Sequence, residues 1–446
     1  MGVASSASLL LIRTAAAAMG QGAKAYLYRM QNKDKRLVVI GGGAAGFFCA
    51  VNAARLGVRV ILLEKTGKLL SKVKVSGGGR CNVTHACYDI GEMIKRYPRG
   101  GHFVRKAFHQ FFTTDTVQWF KDRGVELKTE EDGRMFPVSN SSQTIIDCLM
   151  KEATEYGVDI RMHAEVVKVE AVDSPDGADE PGCRVHLMGD RVLEADAVCI
   201  ACGGYPKSPM FGWIRDLGHT IEEPVPSLFT FNMPDNSITK LMGVSVPDAR
   251  VRVAGSKLQE KGPLLITHWG MSGPAVLRLS AWGARELAAA GYQFSTLVNW
   301  TGELTEDAVR ERLQQVRYEW AGGKVGGRNP FALPTRLWEY ALEVCGISSD
   351  LRWADLPAKE TNKLVRFLAA GEFAVAGKTT FKEEFVTAGG VKLSEVDPAT
   401  MQSKKIRGVF FAGEILDVDG VTGGFNFQHA WTSGWIVANA VAGKLF

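Results

Sequence analysis

At 446 residues, with 46% hydrophobic and 23% charged side chains, the chain carries enough apolar material for more than one core, which excludes a disordered protein and predicts two or three domains. The formal net charge of +5 is small for this length and neither requires nor excludes a polyanionic partner. No apolar stretch approaches the roughly 20 uninterrupted residues of a membrane span, and eight scattered cysteines exclude a disulfide scaffold or a zinc site of paired C-x-x-C groups and predict a reducing compartment.

Residues 1 to 33 contain Ser5, Ser6 and Ser8, the alanine run 15–18, and basic Arg13, Lys24, Arg29 and Lys33, with no acidic residue before Asp34. That composition is the pattern of an organellar transit peptide and predicts a chloroplast or mitochondrial protein. A plain extension on a bacterial or cytoplasmic protein is the alternative.

Residues 37 to 64 read as strand, glycine turn, helix and strand, a βαβ unit. Gly41, Gly43 and Gly46, with Ala45 between the last two, form G-x-G-x-x-G, in which glycine permits a tight turn, close approach to a pyrophosphate and close packing of helix on strand. The helix start then aims amides at phosphate. Glu64, followed by Lys65, closes the second strand 18 residues after Gly46 (64 − 46), where a carboxylate accepts ribose hydroxyls and repels a 2′-phosphate. FAD or NAD is therefore expected before NADP.

The segment Val75 to Thr84 follows the second strand closely enough to lie over the cofactor, with Gly77 to Gly79 leaving room for backbone contact, Arg80 able to bind phosphate or a substrate oxygen, and Cys81 and Asn82 beside it. Farther on, Lys95, Arg96, Arg99, Arg105 and Lys106 alternate with Tyr97, Phe103 and Phe108. Such a mixture can follow phosphates and stack bases, or can be a solvated basic surface over buried rings. The strand Glu165 to Val169 offers the Val166 backbone to an adenine edge, and Ala197 to Ala201 runs into Cys202, Gly203 and Gly204. That second strand-to-turn element is one that NAD-only dehydrogenases do not need.

Pro224-Val225-Pro226 marks an exit from this pattern into a β-rich insert of residues 226–329, which contains His268 beside Trp269. Gly322 to Arg328 reads as a flexible loop, a linker or a substrate-side flap, and residues 330–376 as a helical subdomain. The nucleotide-binding part then resumes over 377–446. There the strand Gly408 to Ala412 leads to Gly413 and Glu414, and Gly423, Gly424, Phe425, Asn426 and Phe427 open a last helix. A carboxylate at the strand end can hold ribitol hydroxyls, and the helix start can stabilise negative charge on a reduced flavin. Three such stations point to FAD, in a Rossmann-like α/β domain interrupted by an insert. No second complete G-x-G-x-x-G unit is present, so NAD(P)H would act as a transient reductant.

The stretches VVIGGGAAG, SGGGRCNVT, THWGMSGPA, VTAGGV and FAGEILDVDGVTGGFNFQ carry a resemblance to the BaiN/RdsA-like family of two-dinucleotide-binding flavoproteins, covering residues 36 to 446. The resemblance implies an FAD-dependent oxidoreductase that reduces an activated C=C bond. Its members are associated with uridine reduction in ribosomal RNA and with reduction of steroid enones. A flavin redox sensor or electron-transfer module is the reading from another class. Cys81 is the expected proton donor, its thiol ionisable beside Arg80, or else a packed residue; His268 is a second candidate acid or a structural histidine. Two departures from the family are Cys202, where Thr is usual, and His429, where many relatives carry an aromatic residue. No metal cluster is expected, and neither the oligomeric state nor the identity of the substrate follows from the sequence.

Overall fold

In the computed structural model the described residues are 32, 34–172, 182–380 and 386–443. The targeting pattern at the start of the chain lies outside them, apart from Asn32. The described chain forms two compact units, one of residues 1–224 and 389–446 and the other of residues 225–388.

The first unit is built on a parallel sheet of β1 (Arg36–Ile40), β2 (Arg59–Leu63), β3 (Asp159–Arg161), β4 (Ala197–Ile200) and β5 (Val409–Phe411), in the order β5-β4-β1-β2-β3. β1 and β4 are apolar along almost their whole length and buried, the pattern of central strands covered on both faces. α1 (Ala44–Arg55) returns β1 to β2 and buries Ala45 through Ala54, and α2 (Phe425–Val441) lies against it. Gly434 makes that approach possible, since a Cβ there would sit 2.6 Å from the Ala45 carbonyl oxygen. Trp431 of α2 packs 5.2 Å from Phe48 of α1, centroid to centroid. The last described helix is thus part of the core that the first helix needs. A three-stranded antiparallel sheet of Val166–Val172, Gly182–Leu187 and Arg191–Ala195 precedes β4.

The second unit has a seven-stranded sheet, ordered Gly371–Ala376, Gln293–Asn299, Ser245–Val253, Gln259–Thr267, Gly270–Ser272, Thr230–Asn232 and Lys378–Thr379. Lys378–Thr379 pairs with Thr230–Asn232, so the return to the first unit falls at Gly389 and not at residue 377. Nor do residues 330–376 form a subdomain with its own interior. Leu337, Trp338, Leu364 and Leu368 share one apolar cluster with Val251, Leu264 and Val298 of the sheet. The glycine-rich stretch 322–328 is anchored: Val325 is fully buried, its carbonyl accepts from Trp338 Nε1 at 2.9 Å, and Gly326 lies against Ser349. Among the described residues no helix is long and apolar enough to cross a membrane.

Candidate cofactor site and active site

The glycines of the first unit divide into two kinds. A Cβ on Gly41 would lie 2.3 Å from the Ala201 carbonyl oxygen and one on Gly46 would lie 1.9 Å from the Gly41 carbonyl oxygen, so these two exist to let β1, β4 and α1 meet. Gly43, Gly78, Gly79 and Gly203 face open space, with nothing within 4 Å of the position a Cβ would take. Their absent side chains leave backbone exposed to a ligand. The loops carrying Gly43 and Gly203 stand at the carboxyl ends of β1 and β4, where ligands of open parallel sheets bind. A surface depression of about 730 Å³ lined by Arg36, Arg59, Tyr156 and Asp159 lies at the amino ends of β1, β2 and β3, the wrong end for the nucleotide loops.

Glu64 is already oriented. One carboxylate oxygen accepts the Gly42 amide at 2.9 Å, and the other accepts the amide and hydroxyl of Thr66, each at 2.8 Å. Lys65 is exposed, with its ammonium 5.6 Å from the centroid of the Tyr205 ring. Tyr205 in turn hydrogen-bonds Cys202, whose thiol burial pushes up to about 11. Gly204 and Val166 are half-buried, and Val166 pairs in register with Leu187.

At the other end of the chain, the Gly413 amide donates to Ser433 Oγ at 2.9 Å, and Glu414 forms an ion pair with Lys72 at 2.6 Å. Gly424 sits at φ +92 and against the Thr84 backbone. The Asn82 carboxamide, oriented to satisfy both neighbours, accepts from the Gly424 amide and donates to the Thr84 carbonyl, both at 3.0 Å. The Trp431 indole donates to the Val83 carbonyl at 2.9 Å, and Gln428 accepts from Thr84 Oγ1 at 2.7 Å. The GGGRCNVT segment is therefore docked on the start of α2. Asn82 acts in this docking, and its amide is occupied by protein partners. The Asn426 side chain is likewise spent on both backbone groups of Gly420, at 2.8 and 2.9 Å, so it shapes the loop and leaves its backbone amide for a cofactor. Phe427 is half-buried and stacks on Trp431 with centroids 5.7 Å apart.

Cys81 corrects the sequence reading. Its side chain has no exposed surface, its backbone is left-handed at φ +60, and burial pushes the thiol up to about 12. Arg80 does not ionise it: the guanidinium pairs with Glu130 at 2.5 Å and lies 4.0 Å from the Phe136 ring centroid. The packed-residue reading of Cys81 is the one that fits. All eight cysteines are free thiols, and Cys87 donates to the Asp89 carbonyl at 3.4 Å. The base-stacking reading of 95–108 also falls. Tyr97, Phe103 and Phe108 are buried at 4%, 8% and 1% exposure, and Arg99 is bound to Asp419 through two hydrogen bonds. Lys95, Arg96, His102, Arg105 and Lys106 are the exposed residues of that stretch. His268 belongs to the second unit, is exposed, and contacts Trp269 edge-on at 4.3 Å.

Two further residues escaped the sequence reading. His85 follows the glycine segment, stacks on Phe425 at 4.7 Å, and places Nδ1 3.0 Å from the Gly423 carbonyl, so that nitrogen carries the proton. Its partial burial lowers the imidazole pKa. Lys72 had no local signature, because its partner Glu414 is 342 residues away.

The residues present fit a flavin adenine dinucleotide: an open glycine cradle, an oriented acid after β2, an acid after β5, and a helix start held in place by the GGGRCN segment. The family description "HI0933-like protein Rossmann domain" matches residues 35–440. A ribosomal RNA dihydrouridine synthase of Haemophilus influenzae is 30% identical over 414 residues, 91% of this chain and 98% of that one. The protein of the same name from Escherichia coli is 30% identical, covering 90% of this chain and 96% of its own. A 3-dehydro-bile acid delta(4,6)-reductase of Clostridium scindens is 28% identical over 91% of this chain and 99% of its own.

Proposed function

Because the chain belongs to the HI0933-like Rossmann family, we propose that it reduces the C5=C6 bond of a uracil in ribosomal RNA to give dihydrouridine. That it is an FAD-dependent oxidoreductase follows from the family itself. The observation that carries the substrate reading is the match to two dihydrouridine synthases over nearly the whole of both chains, so no catalytic domain of theirs lacks a counterpart here.

FAD bound here and reduced by NAD(P)H would supply a hydride for the electrophilic C6, with a proton going to C5 and oxidised FAD left behind. The chain's own work is to hold the cofactor. Glu64 would accept from the ribose of the adenosine, the open backbone at Gly43 and the helix start after it would meet the pyrophosphate, and Glu414 with Lys72 beside it would meet the ribitol chain. The start of α2 would stabilise negative charge on the ring system. Cys81 has no exposed surface and is assigned a packing role; His268 is the other acid that the sequence offers. NAD(P)H is the proposed transient reductant, and an organelle the proposed location.

Dihydrouridine in ribosomal RNA, measured by mass spectrometry with and without the gene and after rescue, tests the substrate. Unchanged dihydrouridine rejects it. The second reading, reduction of a small enone, is favoured by the near-complete coverage of the bile acid reductase and is tested by NAD(P)H-dependent turnover of a steroid enone by the holoenzyme. Absence of turnover with either substrate would leave the sensor or electron-transfer class.

A further inference from the structure

The stretch that reads as basic and aromatic in the sequence has a different use in the fold. Four separate contacts join residues 96–100 to the loop 417–426 that carries the C-terminal glycines. The Arg96 carbonyl accepts the Val421 amide at 2.9 Å. The Tyr97 hydroxyl donates to the Phe425 carbonyl at 2.6 Å. Arg99 grips Asp419 through both Nε and a terminal nitrogen, and the same two residues form an antiparallel backbone bridge. Gly100, at φ +78, lies where a Cβ would be 2.6 Å from Val418 Cγ2.

These contacts are interior ones. Asp419 has no exposed side-chain surface, Arg99 is 13% exposed, and Tyr97 is 4% exposed. A two-pronged charged pair at such burial holds its partners in one geometry, because any other arrangement strands a charge away from water. The loop it fixes leads directly into Gly423, Gly424 and the first turn of α2. Catalytic loops that must meet a ligand at a set distance need support of this kind from residues that never touch the ligand.

We propose that Arg96–Gly100 is a clamp on the flavin loop, with Tyr97 and Arg99 as positioning residues for the cofactor and not contacts for nucleic acid. The proposal rests on the FAD reading of the site. It predicts that loosening the clamp alters the flavin before it alters anything else.

The test uses the holoenzyme, with FAD release followed by the rise of flavin fluorescence after dilution and with visible spectra recorded beside it. Arg99→Met alone would take the paired cation from the buried Asp419 carboxylate, so the double variant Arg99→Met/Asp419→Leu removes both charges together. It is expected to unfold cooperatively, to release FAD roughly 10-fold faster and to show shifted flavin bands, and Tyr97→Phe to release it about 3-fold faster, as loss of one hydrogen bond allows. If the double variant does not fold, Tyr97→Phe decides. Wild-type release rates and spectra in a folded variant would overturn the clamp, whereas a wild-type protein without FAD would overturn the cofactor reading itself.

Discussion

The Lys72 ammonium lies 2.6 Å from the Glu414 carboxylate, tying the helix before the triple-glycine turn to the acid that follows β5. Lys72 is 45% exposed, so solvent screens the pair and its worth is that of a surface salt bridge, about 0.5–1 kcal/mol. Its position gives it a second effect, because Lys72 is one of the groups that hold Glu414 beside the strand end. Lys72→Met is expected to weaken FAD binding by a factor of roughly 2 to 5. Fluorescence titration of deflavinated protein checks this, and unchanged affinity would remove Lys72 from the site.

Glu64→Arg tests the adenosine end. The substitution removes a charge-assisted acceptor of the Gly42 amide and the group assigned to the ribose hydroxyls. A loss of about 1.5–3 kcal/mol, at least a 10-fold weaker affinity, is expected. The flavin-to-protein absorbance ratio of the purified variant reads it, and full occupancy would sink the ribose assignment.

Cys81 is expected to matter for packing and not for chemistry. Its thiol, pushed up to about 12, stays protonated across the working range, so iodoacetamide at neutral pH should label it in unfolded protein and not in folded protein. Cys81→Ala keeps the same left-handed backbone demand and is expected to cost on the order of 1–2 kcal/mol of stability with turnover per bound FAD retained. A Cys81→Ala protein that binds FAD fully but has lost turnover would restore the thiol as donor.

His429, at the second turn of α2, gives a pH dependence. It is buried, its Nε2 lies 3.3 Å from the Gly413 carbonyl, Nδ1 has no hydrogen-bond partner, and burial lowers its pKa from 6.5 to about 4. Below pH 6.5 the unfolded chain takes up a proton here that the folded chain refuses until about pH 4. Stability from this site is therefore complete above pH 6.5 and falls as the pH drops to 4, by on the order of 3 kcal/mol. His429→Phe should flatten the decline in unfolding midpoint between pH 7 and 5. An identical decline in both proteins would place the sensitivity elsewhere.

We propose import into a mitochondrion or plastid with loss of roughly the first 30 residues. Mass spectrometry of the mature N-terminus from native tissue reads this directly, and an intact start in a cytosolic fraction would refute it.

Local glycine chemistry was legible without the fold. The turn Gly41 to Gly46, Glu64 at the end of the second strand, and the glycine-to-helix step at Gly424 each combine residues close in the chain, and backbone sterics give their spacing one meaning. The aromatic residues of 95–108 carried a signal as well. In the helix Gly101–Phe108, Phe103, Val104, Ala107 and Phe108 fall on one helical face and are all buried, while Arg105 and Lys106 face outward. That spacing already said core. What tertiary structure alone decided was partnership: Lys72 with Glu414, Asn82 with Gly424, and Arg99 with Asp419 join segments more than 300 residues apart. Periodicity marks which face of an element is apolar, but not which distant charge or amide will meet it. The burial of Cys81 was likewise not legible in the sequence, which offered a packed thiol and a proton donor side by side.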